Sequence, residues 1–264
     1  MVALVLYGIS AAYSLFLLRR EIRRDHILNY SLLLAGFIFQ TVAMLQRGFS
    51  ISRCPIHNLF EATLFISWAL LAAFLVIGLF PKFRFLGAFV SQLVFGLGIF
   101  ALMPALDKSQ APEKMLEGFE TSLHASLVLL AYGAFGLAAA AGIMFLCQER
   151  DLKSHKIRAL VSMMPPIQRL ELVISWMLAC GFILLTAGLV VGSFFMKPPP
   201  GMSLRGDFKV IWSFLVWLMY LGLLVAHWQF AQRGRRLALG AIGSFAFVLL
   251  TFWGANLASP IHSP

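Results

Sequence analysis

Six histidines carry the most selective chemistry in this 264-residue sequence. His57 and His124 stand at the starts of predicted apolar segments, and His262 follows the last such segment. A neutral imidazole binds iron, copper or zinc, and haem iron commonly takes axial histidines. The sequence contains neither an HExxH pair nor a cluster of carboxylates, which argues against a hydrolytic zinc site. Two interpretations stay open for these residues: ligands of a metal or haem, and amphipathic side chains at a membrane boundary.

A fourth histidine, His227, is predicted to lie within the membrane. It ends the apolar stretch 207–227, in which Trp217, Tyr220, Leu224 and His227 recur at spacings that place them on one face of a helix. A charged ring buried in lipid costs about 2.5 kcal/mol or more, so an ionisable residue at this depth is a candidate functional group. The alternative is an imidazole that is hydrogen-bonded to a neighbouring helix.

The composition predicts that these residues are carried by an all-α polytopic membrane protein. The chain is 60% hydrophobic with a mean hydropathy of +0.86, and only 12% of its residues are charged. Soluble domains carry about 25% charged residues. Eight apolar runs reach the length of a bilayer span. They lie near residues 3–18, 27–46, 59–80, 86–105, 122–147, 171–196, 209–231 and 236–256.

The distribution of positive charge predicts the orientation. The connections after spans 1, 3, 5 and 7 hold 14 of the 21 lysines and arginines. By the positive-inside rule these connections are cytoplasmic, and both termini lie outside. The net charge of +10 is then explained by topology, and a nucleic-acid partner is excluded. The first span has no basic segment before it, so we interpret it as a helix rather than a cleaved signal.

Several other residues have a packing or local interpretation. Gly133, Gly136 and the run Ala138–Ala141 predict close approach of span 5 to a neighbouring helix. Glu61 is best explained by the dipole of the helix that it begins. The alternatives for Glu61 are an ion pair with Arg205 or Lys209, or a bond to a histidine. The three cysteines form no CxxC or CxxCH motif, which argues against a thiol oxidoreductase and against covalently attached haem.

Four segments of the chain resemble, in the same order, motifs of the CcsA/CcmC/HemX superfamily of cytochrome c assembly proteins, above all its short HemX/YpjD-like branch. NLFEATLFISW at 58–68 is similar to the family's NLYES…FLSW motif, and LHASLVLLAY at 123–132 resembles LHVSMMLLSY. Residues 206–227 resemble the end of the tryptophan-rich WWD segment and the helix after it. RGRR at 233–236, WGANL at 253–257 and IHS at 261–263 are similar to the ending WRGKRA…GVNLL…LHSY.

The resemblance implies haem b, bound without a covalent bond, as the cofactor. In the family, two external histidines flank the WWD segment as axial haem ligands, and the matching positions here are His124 and His262. A further family histidine within the membrane serves a second haem site, which His227 matches. The implied outer pocket is roofed by residues 197–208, with the haem ring against Trp212 and the propionates near Arg205 or Lys209.

The chain departs from the family in its tryptophan-rich segment. The full signature reads roughly WGxxWxWDPxETW, and only Asp207, Lys209, Trp212 and Trp217 remain of it. The leading tryptophans, which form the haem platform in the family, are replaced by GMSLRG at 201–206. We therefore expect a protein that binds haem and is not itself an enzyme.

These observations predict a single transmembrane domain over residues 1–264, located in the inner membrane, with haem held between spans 5, 7 and 8. The predicted role is haem handling or delivery in c-type cytochrome assembly, beside another membrane protein as partner. The alternative is a non-catalytic membrane partner or regulatory subunit that keeps the fold with a degenerate haem site. A transporter would show inverted repeats and broken helices, and the sequence indicates neither.

The charge asymmetry gives a direct test of orientation. An alkaline phosphatase fused after Pro264 is expected to be active, because the enzyme folds only outside the cytoplasm. The same enzyme fused at Ser154, within the basic connection after span 5, is expected to be inactive. An inactive fusion at Pro264 beside an active one at Ser154 would overturn the predicted orientation.

Overall fold

The computed structural model describes residues 1–20, 27–51, 58–103, 119–153, 166–195 and 208–257. These residues form α-helices and one short 3₁₀ helix, and no strand lies among them. The helices are α1 (Val2–Arg20), α2 (Ile27–Ile51), α3 (Leu59–Gly78), the 3₁₀ helix (Pro81–Leu86), α4 (Gly87–Ala101), α5 (Phe119–Lys153), α6 (Ile167–Phe195), α7 (Phe208–Trp228) and α8 (Arg235–Leu257). Helices are the expected form for these apolar runs, because every backbone group in lipid must be hydrogen-bonded within the chain.

The predicted membrane architecture is confirmed at the level of length and composition. Among the described residues, seven helical segments are long and apolar enough to cross a bilayer, one within each of the helices α2 to α8. In α4 the segment also includes part of the preceding 3₁₀ helix, from Phe83 to Ala101. The apolar part of α1, Val2–Phe16, is shorter. An eighth span and the outside position of both termini stay predictions.

Helix α5 forms the centre of the bundle. It packs against α3, α6 and α8, and every residue from 131 to 142 is buried. A Cβ on Gly133 would lie 2.5 Å from Cβ of Ala69 and 2.6 Å from the backbone nitrogen of Leu70, so the backbones of α5 and α3 nearly touch. The predicted packing role of Gly133, Gly136 and Ala138–Ala141 is confirmed.

Glycines on α6 receive side chains of α5. Helices α5 and α6 run antiparallel. This is shown by their contacts, in which residue numbers that rise along α6 are paired with residue numbers that fall along α5. A Cβ on any of the three α6 glycines would come within 2.8 Å of its α5 partner. The pairs are Gly181 with Phe135, Gly188 with Val128, and Gly192 with His124. This matched spacing fixes the register of the two helices, and with it the position of His124.

Polar side chains attach α1 to the rest of the bundle. The Tyr7 hydroxyl donates to Oε1 of Gln40 on α2 at 2.6 Å, and Nε2 of Gln40 donates to Oγ of Ser67 on α3 at 2.9 Å. On α4, Nε2 of Gln92 donates to the backbone oxygen of Ala11 at 2.8 Å. Since Tyr7, Gln40 and Ser67 are all buried, the two bonds of Gln40 lie inside the protein. The three bonds together join α1 to α2 and α4, and α2 to α3.

The close approach of α3 and α5 predicts opposite results for two glycine substitutions. Gly133→Ala places a methyl group against the α3 backbone and should destabilise the protein by about 1–3 kcal/mol. Gly243→Ala on α8 is the matched control, because a Cβ there meets no described heavy atom within 4 Å. Thermal unfolding in mild detergent should show a lower midpoint for Gly133→Ala alone. Equal midpoints for the two variants would show that the backbones are not in contact.

Candidate functional site

His124 lies in the second turn of α5 and turns its ring towards α6. Its Nδ1 is 2.6 Å from the backbone oxygen of Gly188. A carbonyl oxygen can only accept a hydrogen bond, so Nδ1 carries the proton and donates it. In the neutral ring the lone pair is then on Nε2, which makes no hydrogen bond to any residue that the structure describes. Metal-binding histidines commonly have this arrangement, with one nitrogen held by a carbonyl and the other open.

The start of α7 lies close to this ring. The ammonium group of Lys209 is near enough for its charge to act on the imidazole of His124. The ends of α5 and α6 that the sequence predicts to be external therefore meet at His124. His262, Asp207, Arg205 and His57 lie outside the described residues, so the predicted pairing of His124 with His262 stays a prediction.

Trp212 lies in a buried cluster of aromatic side chains from α5, α7 and α8. The α5 member of the cluster, Tyr132, lies about 12 Å from His124 along the axis of α5. Its ring meets Tyr132 edge-on at 6.5 Å and Phe252 at 6.2 Å between centroids, and the residue is only 5% exposed. Its indole N–H donates to Oγ1 of Thr251 on α8 at 2.8 Å. The ring has little free surface in this arrangement, so its primary role here is to join α5, α7 and α8. Stacking on a cofactor stays a prediction.

Trp217 joins α7 to α6. Its indole N–H donates to Oγ1 of Thr186 at 2.9 Å, and its ring packs against Phe182 at 5.4 Å between centroids. The predicted shared face of α7 is confirmed in its packing, because Tyr220 and Leu224 are buried on it. A cofactor-binding role for Trp217 stays a prediction.

His227 uses both of its ring nitrogens within the protein. Nδ1 is 3.0 Å from the backbone oxygen of Gln232 and Nε2 is 3.1 Å from Oγ of Ser175 on α6. Because the carbonyl of Gln232 only accepts, Nδ1 carries the proton and Nε2 accepts from the Ser175 hydroxyl. This is the arrangement of an imidazole bonded to a neighbouring helix. A second haem site at His227 stays a prediction, and it requires the Ser175 hydroxyl to leave Nε2.

The two described histidines contact opposite ends of the same helix. Ser175 and Gly188, their partners on α6, are 13 residues apart. At 1.5 Å per residue, the two partners are separated by about 20 Å along the helix axis. His124 and His227 therefore belong to two distinct places in the bundle and cannot bind one metal ion together.

Glu61 has a partner that the sequence did not indicate. Its Oε1 lies 2.6 Å from Nε of Arg47 at the end of α2, and the Glu61 side chain is only 5% exposed. The side chain of Asn58 caps the same turn by accepting from the backbone N–H of Glu61 at 2.7 Å. The position of Glu61 in the first turn of α3 agrees with the expected dipole interaction, and the ion pair that the structure adds is with Arg47.

Three residues of α6 that contact the two histidines were not predicted from the sequence. Gly188, Gly192 and Ser175 all belong to span 6, which carries no residue that the sequence marked for chemistry. One signal was present: GLVVG at 188–192 is a small-xxx-small pattern, which is typical of close helix packing in membranes. In addition, no group of three or more histidine, cysteine or acidic residues that could hold a metal ion occurs among the described residues.

Comparison with known proteins identifies the family. The family model described as cytochrome C assembly protein matches residues 56–262. The cytochrome c biogenesis protein CcsA of Gloeobacter violaceus is 23% identical, over 100% of this chain and 92% of the relative. The protein HemX of Brevibacillus brevis is 25% identical, over 88% of this chain and 85% of the relative. CcsA of Trieres chinensis is 25% identical, over 79% and 77% of the two chains.

The family model covers α3 to α8, and with them every described residue of the candidate site. The resemblance carried by the four sequence motifs is therefore confirmed. This helical membrane chain belongs to the cytochrome c assembly protein family, and its role lies in the assembly of c-type cytochromes.

Proposed function

We propose that this protein binds haem b at its outer face, without a covalent bond, and hands it on during c-type cytochrome assembly. The observation that carries the proposal is the state of His124. The bond from Nδ1 to the Gly188 oxygen leaves Nε2 as the nitrogen with a lone pair. Such a nitrogen fits a haem iron, which commonly takes an axial imidazole.

Three residues of the chain are proposed to bind haem together: His124, His262 and Lys209. Haem, when bound, would supply an iron that imidazoles bind. His124 and His262 would hold that haem through their ring nitrogens. The Lys209 ammonium group, whose charge acts on His124, would pair with a haem propionate. The residues hold and orient the haem and carry out no bond-making step on it, so we propose a binding protein rather than an enzyme.

The orientation in the membrane completes the proposal. We propose eight spans in the inner membrane, with both termini outside and with His124 and His262 facing the periplasm or the exterior. The buried hydrogen bonds that attach α1 to α2 and α4 support its inclusion in the bundle as the first span. A second membrane protein of the assembly apparatus is the proposed recipient or source of the haem.

A second candidate function is a non-catalytic partner or regulatory subunit that keeps the fold without binding haem. The observation that favours it is the burial of Trp212 against Tyr132 and Phe252, which leaves little aromatic surface for a haem ring. The sequence at 201–206 also lacks the tryptophans of the family signature. The two candidates differ in one measurable property, the binding of haem by the purified protein.

The haem-binding proposal predicts a low-spin absorption spectrum for the wild-type protein loaded with hemin in mild detergent, because two imidazoles occupy the iron. The His124→Ala, His262→Ala double variant should lose this spectrum. His155→Ala removes a histidine from the connection after span 5, is the matched control, and should keep the spectrum.

Titration with hemin separates the candidates. If the wild-type protein binds no hemin, the haem-handling proposal fails and the non-catalytic partner is the favoured function. An unchanged low-spin spectrum in the double variant would exclude His124 and His262 as the ligands.

His227 gives a prediction of its own, which follows from its two hydrogen bonds. We expect His227→Ala to lower the unfolding midpoint and to keep the wild-type ratio of haem to protein. Ser175→Ala removes one of the same bonds and should act in the same direction, by about 0.6 kcal/mol and at most about 1.7 kcal/mol. A loss of one haem per chain in His227→Ala, but not in Ser175→Ala, would instead establish a second haem site.

A further inference from the structure

The imidazole of His124 occupies space on α6 that a side chain would otherwise fill. A Cβ on Gly192 would lie 2.6 Å from Nδ1 and 2.7 Å from Cε1 of His124. Non-bonded carbon atoms attract best at about 3.5–4.0 Å, so the ring and a methyl group cannot both be present. The ring therefore lies directly on the backbone of α6, and it can do so because residue 192 is a glycine.

The same absence of a side chain opens the Gly188 carbonyl to the ring. In an α-helix the carbonyl of residue 188 accepts the N–H of residue 192, one turn later. A carbonyl oxygen has two lone pairs, so a second donor can bind beside the helical bond. Nδ1 of His124 is this second donor, at 2.6 Å. The contact with Gly192 and the bond to Gly188 thus act on the ring together.

Together the two contacts fix both the direction of the ring and the position of its proton. A free neutral imidazole exchanges between two tautomers, and either nitrogen can then carry the lone pair. The carbonyl of Gly188 selects the form with the proton on Nδ1, since it accepts and cannot donate. Nε2, which points in a different direction from Nδ1, becomes the nitrogen that is open to a ligand.

We infer that Gly188 and Gly192 are positioning residues for His124, and that α6 is part of the ligand-binding site at this end of the bundle. Gly192 admits the ring, and the Gly188 carbonyl holds Nδ1–H so that Nε2 faces the ligand. The inference rests on the proposed function for the identity of the ligand as haem. It does not need that function for the state of the ring, which is a property of the chain alone.

A third glycine of α6, Gly181, allows the positioning role of Gly192 to be tested separately from a role in helix packing. A Cβ on Gly181 would lie 2.5 Å from Cε1 of Phe135, as close as the contact at Gly192. Phe135 makes an apolar contact, and Gly181 lies 11 residues from Gly192, or about 16 Å along α6. Gly181→Ala therefore crowds the contact of α5 with α6 at Phe135 to a similar extent, and it leaves both Gly192 and the Gly188 carbonyl unsubstituted.

The first measurement uses the protein without haem. In detergent micelles, ¹⁵N NMR of the histidine-labelled chain reports which nitrogen of each ring carries the proton. The His124 signal is assigned by its loss in His124→Asn. We expect the wild-type protein and Gly181→Ala to hold His124 with the proton on Nδ1, and Gly192→Ala to give a mixture of the two tautomers.

The second measurement is a hemin titration of the same three proteins. Loss of the partner that orients a metal ligand typically lowers affinity by about 10–100-fold. We expect a loss of this size in Gly192→Ala, together with loss of the low-spin spectrum. Gly181→Ala should keep the affinity and the spectrum of the wild-type protein.

The outcomes are distinguishable from those of the haem proposal. If Gly192→Ala and Gly181→Ala change hemin affinity equally, Gly192 is a packing residue and the inference is wrong. It is equally wrong if the wild-type ring carries its proton on Nε2. If the wild-type protein binds no hemin, the proposed function fails, and the tautomer measurement alone decides whether α6 positions His124.

One further variant covers the case in which Gly192→Ala folds poorly. In the His124→Ala, Gly192→Ala double variant the ring is absent and the added methyl group meets no imidazole. The double variant should recover the unfolding midpoint that Gly192→Ala loses. A double variant as unstable as Gly192→Ala would show that the added methyl group disturbs something other than His124, which contradicts the inference.

Discussion

The contact of helix backbones along α5 is the constraint on which the rest of the structure depends. In a bilayer the lipid chains are as apolar as the side chains, so helices associate through close packing and hydrogen bonds rather than through exclusion of water. Glycine and alanine on α5 allow α3 to approach until Gly133 meets the backbone of Leu70. Glycines on α6 make the reciprocal fit, and α8 packs against α5 as well. The positions of α3, α6 and α8 are thereby determined by their contacts with α5.

The orientation of His124 is a consequence of this packing. The His124 ring is one of the α5 side chains that pack on glycines of α6. The helix register that aligns Phe135 with Gly181 therefore also brings His124 to Gly192. A shift of one residue in that register would turn the ring by about 100° around α5 and remove it from the Gly188 carbonyl. Two residues of α7 bind α6: Trp217 binds Thr186, two residues before Gly188, and His227 binds Ser175 nearer the start of α6, so that both hold α7 in place. Helix α6 thus connects the structural centre of the bundle to both histidines that lie within the described ranges, His124 and His227.

The helices could be predicted from the sequence to within a few residues where an apolar run coincides with the whole helix. The run predicted at 59–80 is α3 (Leu59–Gly78), and the run at 209–231 is α7 (Phe208–Trp228). The run at 122–147 fell short of the end of α5 at Lys153. That end is polar, with Lys153 donating to Glu149 at 2.6 Å, and such a pair supports a helix without adding hydropathy.

The partners of the site residues could not be predicted in the same way. Helical periodicity tells which residues share a face, as it did for Tyr220 and Leu224, but it does not tell which helix covers that face. Trp212 was expected at a cofactor, and the structure packs it against Tyr132 and Phe252 because α5, α7 and α8 meet there. The Gly188 carbonyl is a backbone group that every residue type provides. Only the register of α6 against α5 makes this carbonyl, 64 residues away in the sequence, a partner of His124.

We propose that α6 holds Nδ1 of His124 so that Nε2 can bind the iron of a haem at the outer face. The most direct test is an experimental structure of the full chain loaded with hemin, determined by cryo-electron microscopy with a bound antibody fragment. We expect Nε2 of His124 to lie about 2 Å from the iron, which is the length of a zinc–imidazole bond. We also expect Nδ1 to remain within hydrogen-bond distance of the Gly188 oxygen. Iron bound to Nδ1, or a bound haem that leaves His124 uncoordinated on α6, would contradict the proposal.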